Sequence, residues 1–336
     1  MDRTGVLISR GGPGEGVRAY EEMTMTTLSN DLRYSARTMP RRSSGLTAAV
    51  FAAVALCFCG ASAPAQVDPT WLHSYAPEVR ERGVAWSTSN CHYQPMFGER
   101  ALALRKGVMR TVVRFGEVKI DPQGACSPVM YEREEEIYVI LEGNGTLQYG
   151  EEKVPVRRND FMYLPPGISH TITASTDRPC RLVIMGFRIP QGITLDEPPP
   201  KLVVANMDDV KEQTVEGHPS SVLYKLLVGD RKSKRDRIAA GYVVTSLFLM
   251  DFAPGGTNTP HHHETAEEIY LILDGHGKIV AGGGEDGVEG LHEAHAGDAY
   301  FFRLNCTVGF YNSSEPGAKA HILAVRSRFP FHAEED

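Results

Sequence analysis

The sequence predicts an all-β protein whose folded part is one β unit, a sandwich or barrel, built twice. Three observations carry this. The chain has 33 glycines and 21 prolines in 336 residues, a supply of turns that suits many short strands. Its second two thirds contain a long internal repeat. Each copy reads as short β-branched and aromatic runs, and neither contains an amphipathic helix longer than about 12 residues.

The repeat is visible at fixed spacing. Asp121-Pro122-Gln123-Gly124 through Pro128 matches Ala253-Pro254-Gly255-Gly256 through Pro260, and Glu135 through Gly145 matches Glu267 through Gly277. Pro122 and Pro254 stand 132 residues apart, as do Glu136 and Glu268. Further on, Asn159-Asp160 matches Gly297-Asp298, and Arg181 to Pro190 matches His321 to Pro330. The growing offset places extra loop residues in the glycine-rich stretch from Ala281 to Gly290. One β unit has been built twice. Within each copy, Arg110 to Ile120 and Tyr242 to Phe252 read as strands, as do Ile137 to Leu141 and Ile269 to Leu273, which end at Gly-x-Gly turns.

The N-terminus reads as an address. Met39-Pro40-Arg41-Arg42 supplies positive charge, and Leu46 to Gly60 is a nearly continuous apolar run of 15 residues. Ala63-Pro64-Ala65 is a cleavage pattern that makes Gln66 the mature start. The competing reading is a membrane anchor, but the run is short for a hydrocarbon core of roughly 30 Å. The domain reading is therefore a leader or misassigned start over 1–38, with Met25 and Met39 as candidate true starts, and a signal peptide over 39–65. An N-terminal extension covers 66–101, the first barrel 102–190, a linker 191–237 and the second barrel 238–332. The expected location is periplasmic or secreted, with no stable membrane anchor after processing.

Net charge is −7, which argues against nucleic acid as a partner, because phosphate binding needs a positive surface. The basic run Arg231 to Arg235 reads as solvated linker. Of six cysteines, Cys57 and Cys59 go with the signal. Cys91, Cys126, Cys180 and Cys306 show no CxxC pair of a zinc site. An oxidising compartment permits one or two disulfides among them, and the pairing stays open.

The chemistry concentrates between Gly255 and Gly275. Pro260 is followed by His261-His262-His263, and Glu268 comes five residues after His263. On a strand, side chains at i and i+2 share a face. His261 and His263 then enter the barrel, His262 points away, and Glu268 follows on the next inward-facing strand. Two imidazoles and one carboxylate suit a divalent ion such as iron, manganese, zinc, nickel or copper. The competing reading is a surface histidine cluster. Glu267 is a candidate to support the site, although alternation points it away from Glu268.

This stretch resembles the first motif of the cupin superfamily, Gly-x5-His-x-His-x3–4-Glu-x6-Gly. The repeat makes the chain similar to two-domain bicupins over about residues 102–332. The resemblance implies two double-stranded β-helix (jelly-roll) barrels and one metal site, in the second barrel. The family's second motif, Gly-x5-Pro-x-Gly-x2-His-x3-Asn, is incomplete there. Arg303, Asn305 and Val308 stand at its proline, glycine and histidine positions. Val308 cannot bind a metal, so the resemblance implies three protein ligands and open positions. Cys306 and Tyr311 are candidates for a substitute contact. The first copy has the opposite defect: Val129 and Tyr131 replace the histidines, while Glu136, Pro165, Gly167 and His170 are retained, and Asn159 replaces a glycine. It is read as metal-free. Tyr131, Glu136 and His170 form either a polar pocket or, in the preferred reading, a satisfied hydrogen-bond network.

What the resemblance implies about function is a metal-dependent oxidoreductase, dioxygenase-like, acting on a small organic acid or phenolic compound. The alternatives are a metal-assisted isomerase, lyase or decarboxylase, and a non-catalytic binding or structural bicupin. The expected cofactor is one divalent ion, the expected partner a small molecule, and a homodimer is an admissible assembly.

Overall fold

The computed structural model describes residues 70–98, 108–175, 177–283 and 289–329. The leader, the signal peptide with its cleavage pattern, Cys57 and Cys59 lie outside the described residues. No described helix is long and apolar enough to cross a membrane.

Apart from two short 3-10 turns at Ala76–Glu78 and Met207–Asp209, the regular structure of the described chain consists of strands. In order these are β1 (Trp71–Tyr75), β2 (Cys91–Gly98), β3 (Val112–Ile120), β4 (Glu134–Glu142), β5 (Asn144–Tyr149), β6 (Glu152–Arg157), β7 (Asp160–Leu164), β8 (His170–Ala174), β9 (Cys180–Arg188) and β10 (Val204–Asn206). Then come β11 (Val222–Asp230), β12 (Ile238–Gly241), β13 (Val244–Phe252), β14 (His261–His262), β15 (Ala266–Asp274), β16 (His276–Gly282), β17 (Glu289–His295), β18 (Asp298–Phe302), β19 (Thr307–Asn312) and β20 (Ala320–Arg328). The first barrel joins a large sheet, ordered β10-β7-β4-β9-β3-β2, to a small one, β6-β5-β8. The second joins β1-β18-β15-β20-β13-β11-β12 to β14-β19-β16-β17. The tandem jelly-roll architecture implied by the resemblance is present.

Two segments differ from expectation. β2 lies in the region read as an N-terminal extension, yet it pairs with β3 from Cys91 to Gly98. Its Pro95 is tolerated because β2 is an edge strand. β11 lies in the region read as linker, yet it pairs with β13 from Val222 to Gly229. The charges around it obscured the run Val222-Leu223-Tyr224-Lys225-Leu226-Leu227-Val228.

Leading strands cross over. β1, which precedes the first barrel, pairs with β18 of the second. β10, which precedes the second barrel, pairs with β7 of the first. Each barrel thus completes the other's sheet.

Three apolar clusters result. Tyr93, Val118, Tyr138, Ile140, Met162 and Leu182 fill the first barrel. Tyr224, Phe248, Met250, Tyr270, Ile272 and Phe310 belong to the interior of the second. The third lies between the large sheets, where Phe97, Phe115, Val139, Phe161 and Met185 meet Val244, Leu247, Ile269, Phe301 and Leu323. Because both faces of the central strands are buried, Ile137 to Leu141 of β4 and Ile269 to Leu273 of β15 read as unbroken apolar runs.

Glu135 and Glu267 lie in this interface. Glu135 accepts from the backbone N–H of Tyr242 (2.7 Å), Val243 (2.9 Å) and Val244 (2.7 Å), and from the Tyr163 hydroxyl (2.7 Å). Glu267 accepts from the N–H of Arg110 (2.6 Å) and Thr111 (2.9 Å), and from the Thr111 hydroxyl (2.8 Å). Glu267 therefore clasps the other barrel and gives no support to the metal-ligand set, as its place in the alternation dictates.

Candidate metal centre

His261 and His262 form β14, a two-residue strand whose partner is β19, with His261 opposite Val308. His262 is exposed, while His261 and His263 are half-buried. Glu268 sits on β15 in the facing sheet and is 1% exposed. The barrel thus brings its two sheets' side chains together. Among the described residues, His261, His263 and Glu268 form a group whose ligand atoms all lie within 4.8 Å of one another.

The donor chemistry fits a metal. The Nδ1 of His261 lies 2.8 Å from the Thr259 carbonyl. A carbonyl only accepts, so Nδ1 carries the proton and Nε2 presents its lone pair. Burial holds the His261 imidazole below its ordinary range, in the neutral form that coordination needs. Burial opposes ionisation of Glu268, but the Arg326 guanidinium and both imidazoles outweigh it and hold the carboxyl at about 2. Arg326 Nη2 donates to Glu268 Oε1 at 3.0 Å. The remaining atoms, His261 Nε2, His263 Nε2 and Glu268 Oε2, are buried and make no hydrogen bond. His263 Nε2 and Glu268 Oε2 approach to 3.1 Å without hydrogen-bond alignment. Each unmade bond of this kind costs about 1–3 kcal/mol, and one divalent ion among the three would remove all of these penalties.

Neither proposed substitute contact joins the group. Cys306 Sγ lies 3.4 Å from the N–H of Gly282, and Tyr311 is 40% exposed on the opposite face of β19. Val308 is packed in the apolar interior.

In the first barrel the corresponding carboxylate is already satisfied. Arg114 Nε donates to Glu136 Oε1 at 3.1 Å, and His170 Nε2 lies 2.8 Å from Oε2. Arg114 also pairs with Glu134, and its guanidinium stacks 4.0 Å over the Tyr131 ring. Burial disfavours the Glu136 anion, yet His170 and Arg114 hold its pKa below the ordinary value. Tyr131, Glu136 and His170 thus meet in a closed network. The cavity beside His170 and Trp86 is about 10 Å³, room for one water and no organic ligand.

Two of the departures from the second motif have a local cause. Asn159 and Asn305 occupy glycine positions, with φ of 68° and 62°. Asparagine is among the few residues that enter this left-handed region readily.

Sequence reasoning missed Arg114 and Arg326. They lie on strands far from either motif, and no spacing rule links an arginine to a carboxylate across a sheet. His218 was missed as well. It lies in the region read as linker, but its ring is 5.1 Å from that of His261.

The family model for the cupin domain matches residues 116–186 and 248–325, one match in each barrel. The chain is a two-domain cupin. Solved structures share the fold of this bicupin. One is a protein designated glyoxylate-induced from Pseudomonas aeruginosa, with 17% identity and a TM-score of 0.60, covering 80% of this chain and 94% of that one. A second is the oxalate decarboxylase of Lactobacillus farciminis in complex with formate, with 15% identity and a TM-score of 0.57, covering 78% and 87%. A third is vicilin from hazelnut, Corylus avellana, with 10% identity and a TM-score of 0.54, covering 76% and 85%. Identities this low establish likeness of fold. No curated protein matches the sequence.

Proposed function

We propose that this bicupin is an exported, metal-dependent oxidoreductase, dioxygenase-like, that acts on a small organic acid or phenolic compound. His261, His263 and Glu268 hold one divalent ion in the second barrel. The observation that carries this reading is the set of three buried, unpartnered ligand atoms. When bound, such an ion supplies Lewis-acid or redox chemistry, and three protein ligands leave positions open for substrate and oxygen. The chain's own residues do the rest. Thr259 orients His261, and Arg326 keeps Glu268 ionised. The apolar wall of Phe248, Tyr270 and Phe302 excludes water. The first barrel serves as scaffold.

The test is elemental analysis of the chain from Gln66, beside the His261→Ala/His263→Ala double variant. About one redox-active metal per chain is expected, lost in the double variant. A chain that takes up no metal on reconstitution with any of the ions would sink the reading. Oxygen consumption with aliphatic and phenolic acids follows. Turnover without oxygen uptake would move the assignment to an isomerase, lyase or decarboxylase.

Export to the periplasm or beyond is supported by the Cys91–Cys126 disulfide, since such bonds persist in oxidising compartments. Cell fractionation tests it, with recovery in the cytosol as the contrary result.

A further inference from the structure

We propose that Tyr224 and Arg326 form an anchoring subsite for a carboxylate ligand, beside the candidate metal ligands of the second barrel. This rests on the metal-centre reading and names the chemistry of what binds there.

Tyr224 is 3% exposed, and its hydroxyl has no hydrogen-bond partner. Arg326 Nη2 is engaged by Glu268, yet its Nε is buried without a partner. Folded proteins leave few buried donors unmatched. Both side chains project into the same barrel and meet the same ring: Tyr224 and Phe248 have centroids 5.7 Å apart, and the Arg326 guanidinium lies 5.7 Å from Phe248. His218 joins this corner to the metal ligands, its ring 5.4 Å from Tyr224 and 5.1 Å from His261. The His218 ring is itself fixed, with Nδ1 2.6 Å from the Asn258 carbonyl.

Arg326 Nε can only donate, and the Tyr224 hydroxyl has a proton to give, so a ligand that accepts from both satisfies the pair. Burial, reinforced by the Glu268 carboxylate, pushes the Tyr224 hydroxyl above its ordinary range and keeps it a donor. The Arg326–Glu268 pair is neutral overall, so a divalent ion leaves the corner positive. A carboxylate satisfies both requirements: one oxygen for the hydroxyl, one for the guanidinium Nε–H.

The first barrel supplies the contrast. Tyr93 is the counterpart of Tyr224 on β2, and its hydroxyl is likewise buried without a partner. There, Trp86 packs 5.0 Å from the Tyr93 ring and little space remains. His218, a smaller ring, takes the place of Trp86 in the second barrel.

The test uses the manganese-loaded chain from Gln66 and malonate as the probe, with affinity read by calorimetry and manganese content measured on the same samples. Tyr224→Phe is expected to keep its manganese and bind malonate about tenfold more weakly. Arg326→Lys keeps a cation, loses the guanidinium fork, and is expected to lose a similar factor. Tyr93→Phe is the control and leaves affinity unchanged. Equal malonate affinity in Tyr224→Phe and wild type, with manganese bound in both, overturns the subsite. So does a manganese-loaded wild type that binds no malonate. A wild type that binds neither manganese nor, on reconstitution, iron, zinc, nickel or copper overturns the metal centre instead. The subsite then stands only if metal-free wild type still binds malonate more tightly than Tyr224→Phe.

Discussion

Glu136 and Glu268 occupy equivalent places and are 2% and 1% exposed. A buried carboxylate needs a cation or several donors beside it. Arg114 reaches Glu136 from β3, across Gly186 of the intervening β9, whereas Arg326 stands directly opposite Glu268 on the neighbouring β20, with Ser246 of β13 on its far side. Gly186 is what makes room: a Cβ there would come within 2.8 Å of the Arg114 guanidinium. Gly186→Ala should therefore cost about 1–3 kcal/mol, measurable by denaturant unfolding. Wild-type stability in that variant would mean that Arg114 can step aside. Glu136 also carries a pH signature. Its pKa is lowered on folding, so its contribution is complete above its ordinary value of 4.5 and is lost as pH falls through the lowered value. The stability gap between wild type and Glu136→Gln should shrink on acidification below about pH 4. A gap that stays constant to pH 2 would contradict the sign. The neighbouring positions are exchanged as well: Val129 faces His170 in one barrel, and His261 faces Val308 in the other. One imidazole per cross-strand pair goes to a carboxylate in the first barrel and is freed for coordination in the second.

Among the elements, the reciprocal clasps matter most. Glu267 accepts three bonds from residues 110–111. Removing it strands two backbone N–H groups and a hydroxyl. Glu267→Ala should lower stability by about 3 kcal/mol or more, while leaving metal content per folded chain unchanged. Loss of metal in that variant would place Glu267 in the site after all. Glu135 and Glu267 stand next to Glu136 and Glu268, so the repeat made them visible, and alternation pointed them away from the barrel interiors. Their partners were not visible, because residues 242–244 and 110–111 are distant in sequence. The same applies to β1 and β10, short strands that are stable only as additions to another sheet.

The whole folded part behaves as one unit because the inter-barrel cluster draws on both large sheets. The chain has two tryptophans, and Trp86 packs in the first barrel while Trp71 lies against Tyr300 and His292 of the second. Single-tryptophan variants should unfold at the same denaturant concentration, as a shared core requires. Separate midpoints would show two independent barrels. The disulfide spans 35 residues at the edge of the first barrel and contributes about 4 kcal/mol in the loop-entropy account. Its reduction should lower both transitions together.

The sequence by itself determined the all-β class and the duplication, and its resemblance to the cupin motifs implied the two barrels. Strand alternation and turn spacing are local properties, and a repeat shows them twice. It also singled out His261, His263 and Glu268, because metal-ligand spacing is short-range. Only the tertiary structure decided the rest: which arginine meets each carboxylate, how Glu135 and Glu267 lock the barrels, which strands cross over, and that Cys91 pairs with Cys126. Each of these joins residues that the chain separates by tens to hundreds of positions. Burial is what makes the contacts specific, since a charge or N–H removed from water must find its partner within the fold.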